Sequence, residues 1–350
     1  MENIINTIVG YIWSDALVYL ALGVGIYFTI MTRAVQIRYF KEMIKLLFDK
    51  QTSSAGVSSF QAFCMALSGR IGVGNIAGVA TAIAAGGPGA VFWMIVMGVL
   101  GGASAFIEST LAQVYKHKVD DQYRGGSPFY IEKGLKLKPF AIVVAVVTCL
   151  SYGVLVPGVQ ANTIADSFNT AFNIPPFVTG IIIVVLLAII IFGGVKRIAS
   201  FAGKVVPVMA IGYIVMMVIV LAFNAHNIPS MFALIFKSAF GMDAVFGGMV
   251  GTAISWGVRR AVFSNVAGAG EATFSSAAAE VSHPAKQGLV QSFSIYIDTV
   301  LVCTATALMI LSTGMYNVTT PEGVALVENM PGIEAGTAFT QAAVSTVFSQ

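Results

Sequence analysis

Apolar runs long enough to cross a bilayer recur from Ala16 almost to the C-terminus of this 350-residue chain, and they leave few folds open. About 18 to 20 apolar residues in helical form span a hydrocarbon core of roughly 30 Å. Such runs fall near 15–32, 58–86, 90–115, 139–168, 177–194, 203–223, 244–280 and 287–313, with a ninth starting near 335. Inside a bilayer every backbone N–H and C=O must be paired within the protein, so runs of this kind predict helices and an all-α polytopic membrane protein. Composition agrees: 10% of residues are charged, against roughly 25% in a soluble domain. The formal charge of +3 is too small an excess to imply a nucleic-acid partner. Cys64, Cys149 and Cys303 all lie inside apolar runs and read as small hydrophobes. His117, His226 and His283 have no ligand spacing, so no metal site is expected from them. Glu2 and Asp15 precede the first run and basic residues follow it, the reverse of a signal peptide, so that run reads as a retained helix.

The basic residues set the orientation, because cytoplasmic loops carry the Lys/Arg excess. Loop 33–57 holds Arg33, Arg38, Lys41, Lys45 and Lys50; loop 116–138 holds Lys116, Lys118, Arg124, Lys133, Lys136 and Lys138; loop 195–204 holds Lys196, Arg197 and Lys204. Lys286 joins the last loop on that side, while Lys237 alone falls on the other. The distribution predicts a multi-pass protein with its N-terminus outside, and the expected location is the plasma membrane. In 33–50, Ile37, Phe40, Ile44, Leu47 and Phe48 recur at helical spacing among basic residues, the pattern of a helix lying on the membrane surface.

Two spans are interrupted by glycine-rich motifs, Gly69-Arg70-Ile71-Gly72-Val73-Gly74-Asn75-Ile76-Ala77-Gly78 and Arg259-Arg260-Ala261-Val262-Phe263-Ser264-Asn265-Val266-Ala267-Gly268. Shifted by 190 residues they align, Arg70 on Arg260, Asn75 on Asn265, Ala77 on Ala267 and Gly78 on Gly268. The two spans stand five apart in the order of crossings, and an odd offset makes them cross in opposite directions, as in an inverted repeat. An unwound stretch at membrane depth exposes free N–H groups at the start of one half-helix and free C=O groups at the end of the other, suited to a carboxylate and to a cation. The bland alternative is that Gly72, Gly74 and Gly78 only let helices pack closely; the second copy weighs against it. Polar residues inside spans are functional candidates. Asp298 can offer oxygen to a cation or pair with an arginine. Gln160 can bond substrate or another helix. Arg70, Arg259 and Arg260 suit gate or structural charges paired with Glu108, Asp298 or a helix C-terminus, and Glu108 and Glu271, toward the cytoplasmic ends of their spans, read as a solvated pair rather than a proton relay.

The stretch from Gly69 through Ala84, Pro88-Gly89-Ala90-Val91-Phe92-Trp93-Met94, Phe263-Ser264-Asn265 and His283-Pro284-Ala285-Lys286-Gln287-Gly288-Leu289 resemble the alanine or glycine:cation symporter family. That resemblance implies a LeuT-type inverted repeat with discontinuous helices, preceded by one extra N-terminal helix. Residues 58–223 would form the first repeat and 244–350 an incomplete second in a single transporter domain. It further implies Na⁺-coupled, in some members H⁺-coupled, uptake of a small neutral amino acid such as alanine or glycine across the bilayer, with no cofactor other than the coupling ion. By motif, substrate contacts fall on Gly72, Gly74, Asn75, Gln160, Asn265 and Gly268, and cation contacts on Asn75, Ser264, Asp298 and Thr299. Val266 departs from the family, which commonly has Glu there. The family also continues for about three more helices, so the chain reads as C-terminally truncated and is expected not to transport alone.

Two rival classes remain from the residues alone. A channel also uses broken helices, but its filters come as rings of like copies rather than as two opposed ones. A membrane enzyme would need a catalytic motif, and no H-E-x-x-H, nucleophile elbow or phosphate loop is present. A transporter of the same fold for another small solute is the nearer alternative.

Overall fold

A computed structural model describes residues 7, 9–49 and 55–348; Glu2 and Lys50 lie outside them. Among these residues five helices are long and apolar enough to cross a bilayer: Val9–Met31, Gly89–Val114, Lys138–Phe172, Gly194–Phe223 and Pro284–Thr313. Taken as one span, the bent pair Ser59–Arg70 and Gly74–Gly86, whose halves meet at 55°, makes a sixth. Pro176–Ile191 is apolar but 16 residues long, about 24 Å at 1.5 Å per residue. The last two crossings expected from the sequence are a pair of half-helices, Val250–Asn265 and Glu271–Ala278, and a short helix, Thr337–Ser345.

Gly89–Val114 is the axis of the bundle. It packs on Asp15–Met31, on Val250–Asn265 and on Pro284–Ile295. Small residues on it make the close approaches possible: a Cβ on Gly98 would lie 2.8 Å from Thr299 Cγ2, and one on Gly101 would lie 3.2 Å from Ala267 Cβ. The starting end of the first broken span is tied to the finishing end of the second by an isolated parallel bridge, in which Val57 N donates to Ala278 O and Glu280 N to Val57 O. Gln113 donates to both Ser276 O and Ala279 O, and Lys116 Nζ to Ala279 O at 2.6 Å. Burial pulls the Lys116 ammonium below its ordinary range.

Several loop readings are corrected. Residues 195–204 are not a loop: the helix Gly194–Phe223 begins there and runs through Pro207, so Lys196, Arg197 and Lys204 ride on its first turns. Charge counting locates a membrane face but carries no information on whether the backbone there is helical. The 116–138 connection folds into an antiparallel hairpin, His117–Val119 with Gln122–Arg124, and a helix, Ser127–Gly134. In the surface segment, Val35–Arg38 and Phe40–Leu47 are helical as expected, but Leu47 turns inward with Met43 and Leu46 while Ile37, Phe40, Ile44 and Phe48 stay exposed.

Candidate functional site

Both expected breaks are present, and each is made by its own residues. In the first span the α-helix ends at Arg70, capped by Ile71 in extended conformation, and the chain resumes in a π-wound turn, Gly74–Gly78. Asn75 Oδ1 accepts from Gly72 N at 2.8 Å, and Gln160 Oε1 accepts from Val73 N at 3.0 Å. These are two of the amides that an unwound stretch leaves without a helical partner. In the second span Val266 ends the helix in the left-handed region, at φ 49°, and Gly268 and Gly270 follow at φ 87°. That region is costly for a β-branched residue. Asn265 Oδ1 accepts from Ala267 N at 3.0 Å, and Glu108 Oε2 accepts from Gly268 N and Gly270 N, both at 3.1 Å.

The two asparagines aligned by the repeat do the same thing. Each uses its Oδ1 on an amide of its own break and turns its Nδ2 toward Pro284–Thr313, where a π-wound stretch, Tyr296–Cys303, carries Asp298 and Thr299. Asn75 Nδ2 donates to Asp298 Oδ1 at 2.7 Å, and Asn265 Nδ2 donates to Thr299 Oγ1 at 3.1 Å. Ser264 Oγ lies 3.1 Å from both carboxylate oxygens of Asp298, and Thr299 Oγ1 donates to Oδ2 at 2.7 Å. Asn75, Asn265, Asp298 and Thr299 are all fully buried. The four expected cation residues, Asn75, Ser264, Asp298 and Thr299, therefore meet at one point between the two breaks. Gly74 permits that meeting, because a Cβ on it would lie 3.1 Å from Ser264 Cα.

Asp298 takes its hydrogen bonds from one amide and two hydroxyls, not from an arginine. Arg70, 2% exposed, reaches instead across the break: its Nε donates to Asn265 O at 2.7 Å, the last carbonyl of a half-helix, and its Nη1 to Ser294 Oγ. The helix-C-terminus role foreseen for an arginine thus falls to Arg70. Arg259 pairs with Asp15 at 2.9 Å, and Arg260 lies over the rings of Trp256 and Phe263.

Of the expected substrate residues, Asn75, Asn265 and Gly74 lie at this point. Gln160 lies beside the first break against Gly72, whose Cβ would come within 2.7 Å of the Gln160 amide. Gly268 lies at the far side of the second break, with its amide held by Glu108. Glu108 is therefore not a solvated charge but a buried one, 6% exposed, serving the unwound backbone. Glu271 is half-buried, and its carboxylate lies over Gly69, where any Cβ would collide with it. Cys303 was read as a plain hydrophobe, yet its Sγ lies 3.2 Å from both Asn75 Nδ2 and Ser264 Oγ. Its position five residues after Asp298, one π-turn on, is the signal that could have found it.

With these two breaks and their shared carboxylate described, comparison with known proteins is decisive. The profile of the sodium:alanine symporter family matches residues 1–349. The chain belongs to that family. It is a transporter and not an enzyme. YrbD of Bacillus subtilis is 56% identical over 347 residues, covering 99% of this chain and 72% of the relative. The sodium/proton-dependent alanine carrier protein of Bacillus sp. PS3 is 53% identical, covering 87% of this chain and 69% of its own length. The sodium/alanine symporter AgcS of Methanococcus maripaludis is 39% identical, covering 89% and 71% respectively.

Proposed function

We propose that this member of the sodium:alanine symporter family carries alanine or a similarly small neutral amino acid with Na⁺ across the plasma membrane, N-terminus outside, by alternating access. The observation that carries the reading is the bracketing of Asp298 and Thr299 by the matched asparagines of two broken helices. The names of the relatives support the substrate and the ion, and the inclusion of protons in two of those names keeps H⁺ as an alternative coupling ion. The matched breaks support a LeuT-type inverted repeat over 58–223 and 244–350.

Na⁺ is a hard cation that prefers oxygen. Asp298 supplies the formal charge, and the hydroxyls of Ser264 and Thr299 can rotate their lone pairs toward an ion once they stop donating to the carboxylate. The Cys303 thiol is a soft neighbour that seals the position rather than ligating the ion. The carboxylate of an amino acid is directed to the first break, because the free amides of the second are already held by the protein's own carboxylate, Glu108. At the first break the substrate would displace Gln160 from Val73 N and take the positive end of the half-helix Gly74–Gly86. Asn75 then touches both ligands through neighbouring groups, which is how binding of one favours binding of the other.

The test is uptake of labelled alanine into proteoliposomes holding the full-length protein, under an inward Na⁺ gradient and with K⁺ in place of Na⁺. Na⁺-dependent uptake that is abolished by Asn75→Ala supports both the function and the site. Uptake that survives the substitution keeps the function and refutes the site, and no uptake of any small amino acid refutes the function.

A further inference from the structure

We propose that the segment Arg33–Phe48 is a binding surface for the phosphate headgroups of anionic lipids, and that it is mechanically joined to the span carrying Asp298. The segment starts where the first span ends. Arg33 and Ala34 both adopt left-handed backbone, at φ 53° and 54°, and turn the chain off the span axis into the short helices Val35–Arg38 and Phe40–Leu47. Three faces follow from the helical repeat. Met43, Leu46 and Leu47 are buried on the protein side with Phe63, Leu67 and Leu289. Ile37, Phe40, Ile44 and Phe48 form a second stripe that stays largely exposed, with Ile37 60% and Phe48 69% exposed, while the Phe40 ring also touches Phe293 and Tyr296 and Phe48 stacks on Phe60. Arg38, Lys41 and Lys45 each stand one position on from a member of that stripe, a hundred degrees round the helix, and all three are exposed.

A helix that buries one apolar face in protein and offers a second beside a row of cations lies in a membrane interface, its cations at headgroup depth. Among the described residues none of Arg38, Lys41 and Lys45 is in an ion pair. Of the two acids in or next to the segment, Asp49 is already engaged by Lys286 at 3.0 Å, and Glu42 alone stands against Arg33, Arg38, Lys41 and Lys45, so the segment keeps a cationic excess. Charge complementarity therefore names the occupant as anionic lipid, which a row of basic residues at the membrane surface attracts.

The joint to the transport machinery is on the same segment. Tyr296 OH donates to Gln36 O at 3.1 Å, and the Phe40 ring meets Tyr296 and Phe293 edge-on at 5.3 and 5.7 Å. Tyr296 opens the π-wound stretch that carries Asp298 two residues later. Gln36 is anchored in turn, its Nε2 donating to Thr29 Oγ1 at 2.8 Å and its side chain lying on Gly102 of the central helix. A lipid that draws this segment toward the headgroups pulls on the backbone next to the cation residues.

Native mass spectrometry counts the phosphatidylglycerol molecules retained by the full-length protein and by an Arg38→Gln, Lys41→Gln, Lys45→Gln variant, with phosphatidylcholine as the neutral control. The variant should retain about threefold fewer phosphatidylglycerol molecules and no fewer phosphatidylcholine molecules. Equal retention overturns the proposal and leaves the face to an acidic protein partner. The joint rests on the symport reading and is read separately, from Na⁺-driven alanine uptake in phosphatidylcholine vesicles with and without phosphatidylglycerol. Uptake by the wild type should rise with phosphatidylglycerol, while Tyr296→Phe should retain the lipid but lose the rise. A Tyr296→Phe protein that keeps the rise overturns the joint. Lipid retention without uptake by the wild type counts against symport and supports the lipid surface.

Discussion

Asp298→Asn isolates the formal charge of the cation position with almost no change of shape. In the wild type the side chain is fully buried and, among the described residues, takes its hydrogen bonds from Asn75, Ser264 and Thr299, all neutral. A unit charge about 4 Å from a cation at an effective dielectric near 20 contributes about 4 kcal/mol. The amide oxygen that replaces it returns about 1 kcal/mol as an ordinary polar contact. The remaining 3 kcal/mol or so corresponds to about a hundredfold weaker Na⁺ binding, at 1.4 kcal/mol per tenfold. Two assays read it: the Na⁺ concentration giving half-maximal alanine uptake in proteoliposomes, and that giving half-maximal thermal protection of the detergent-solubilised protein. The second does not depend on transport. A shift of less than about threefold in both, with the variant folded, would refute the assignment of Na⁺ to this carboxylate.

Further substitutions at four positions separate close packing from chemistry and strain. Gly74→Ala should reduce uptake at least about tenfold, because its Cβ would stand 3.1 Å from Ser264 Cα, whereas Gly78→Ala, whose nearest neighbours lie at 3.8 Å, should be tolerated and raise helix stability by up to about 1 kcal/mol. Glu108→Ala strips the acceptor from Gly268 N and Gly270 N and should destabilise by about 3 kcal/mol in thermal unfolding, with Glu108→Gln losing less because an amide oxygen remains. Val266→Gly relieves a left-handed β-branched residue and should stabilise by about 1 kcal/mol in the same assay; unchanged or lower stability would show that the strain is not there to relieve.

Much of the site was legible because its signals are local. Glycine runs mark unwinding, and the matched Asn75 and Asn265 pointed to a paired arrangement before any geometry was known. Asp298 stood out as a lone acid in an apolar run. What the sequence hid depends on contacts between distant spans. Glu108 carries no motif on the central helix, and its partners are backbone amides 160 residues away, which a sequence pattern cannot name. Arg70 had several plausible partners in the sequence, and only packing selected Asn265 O and Ser294. Cys303 looks apolar by type and becomes part of the polar cluster only because the helix there is wound one residue wider. The helical start at Gly194 was missed for a related reason: charged residues broke the apolar run where the helix leaves the membrane, not where it ends.

The central claim is that Na⁺ and the amino acid bind next to one another and share Asn75. Equilibrium binding of labelled alanine to the purified protein, measured across a range of Na⁺ concentrations, tests it most directly, since coupled sites must tighten one another. The account predicts that the alanine dissociation constant falls steeply as Na⁺ rises in the wild type and that Asn75→Ala flattens this dependence. An alanine affinity that is indifferent to Na⁺ in the wild type, or equally Na⁺-dependent in the variant, would contradict it.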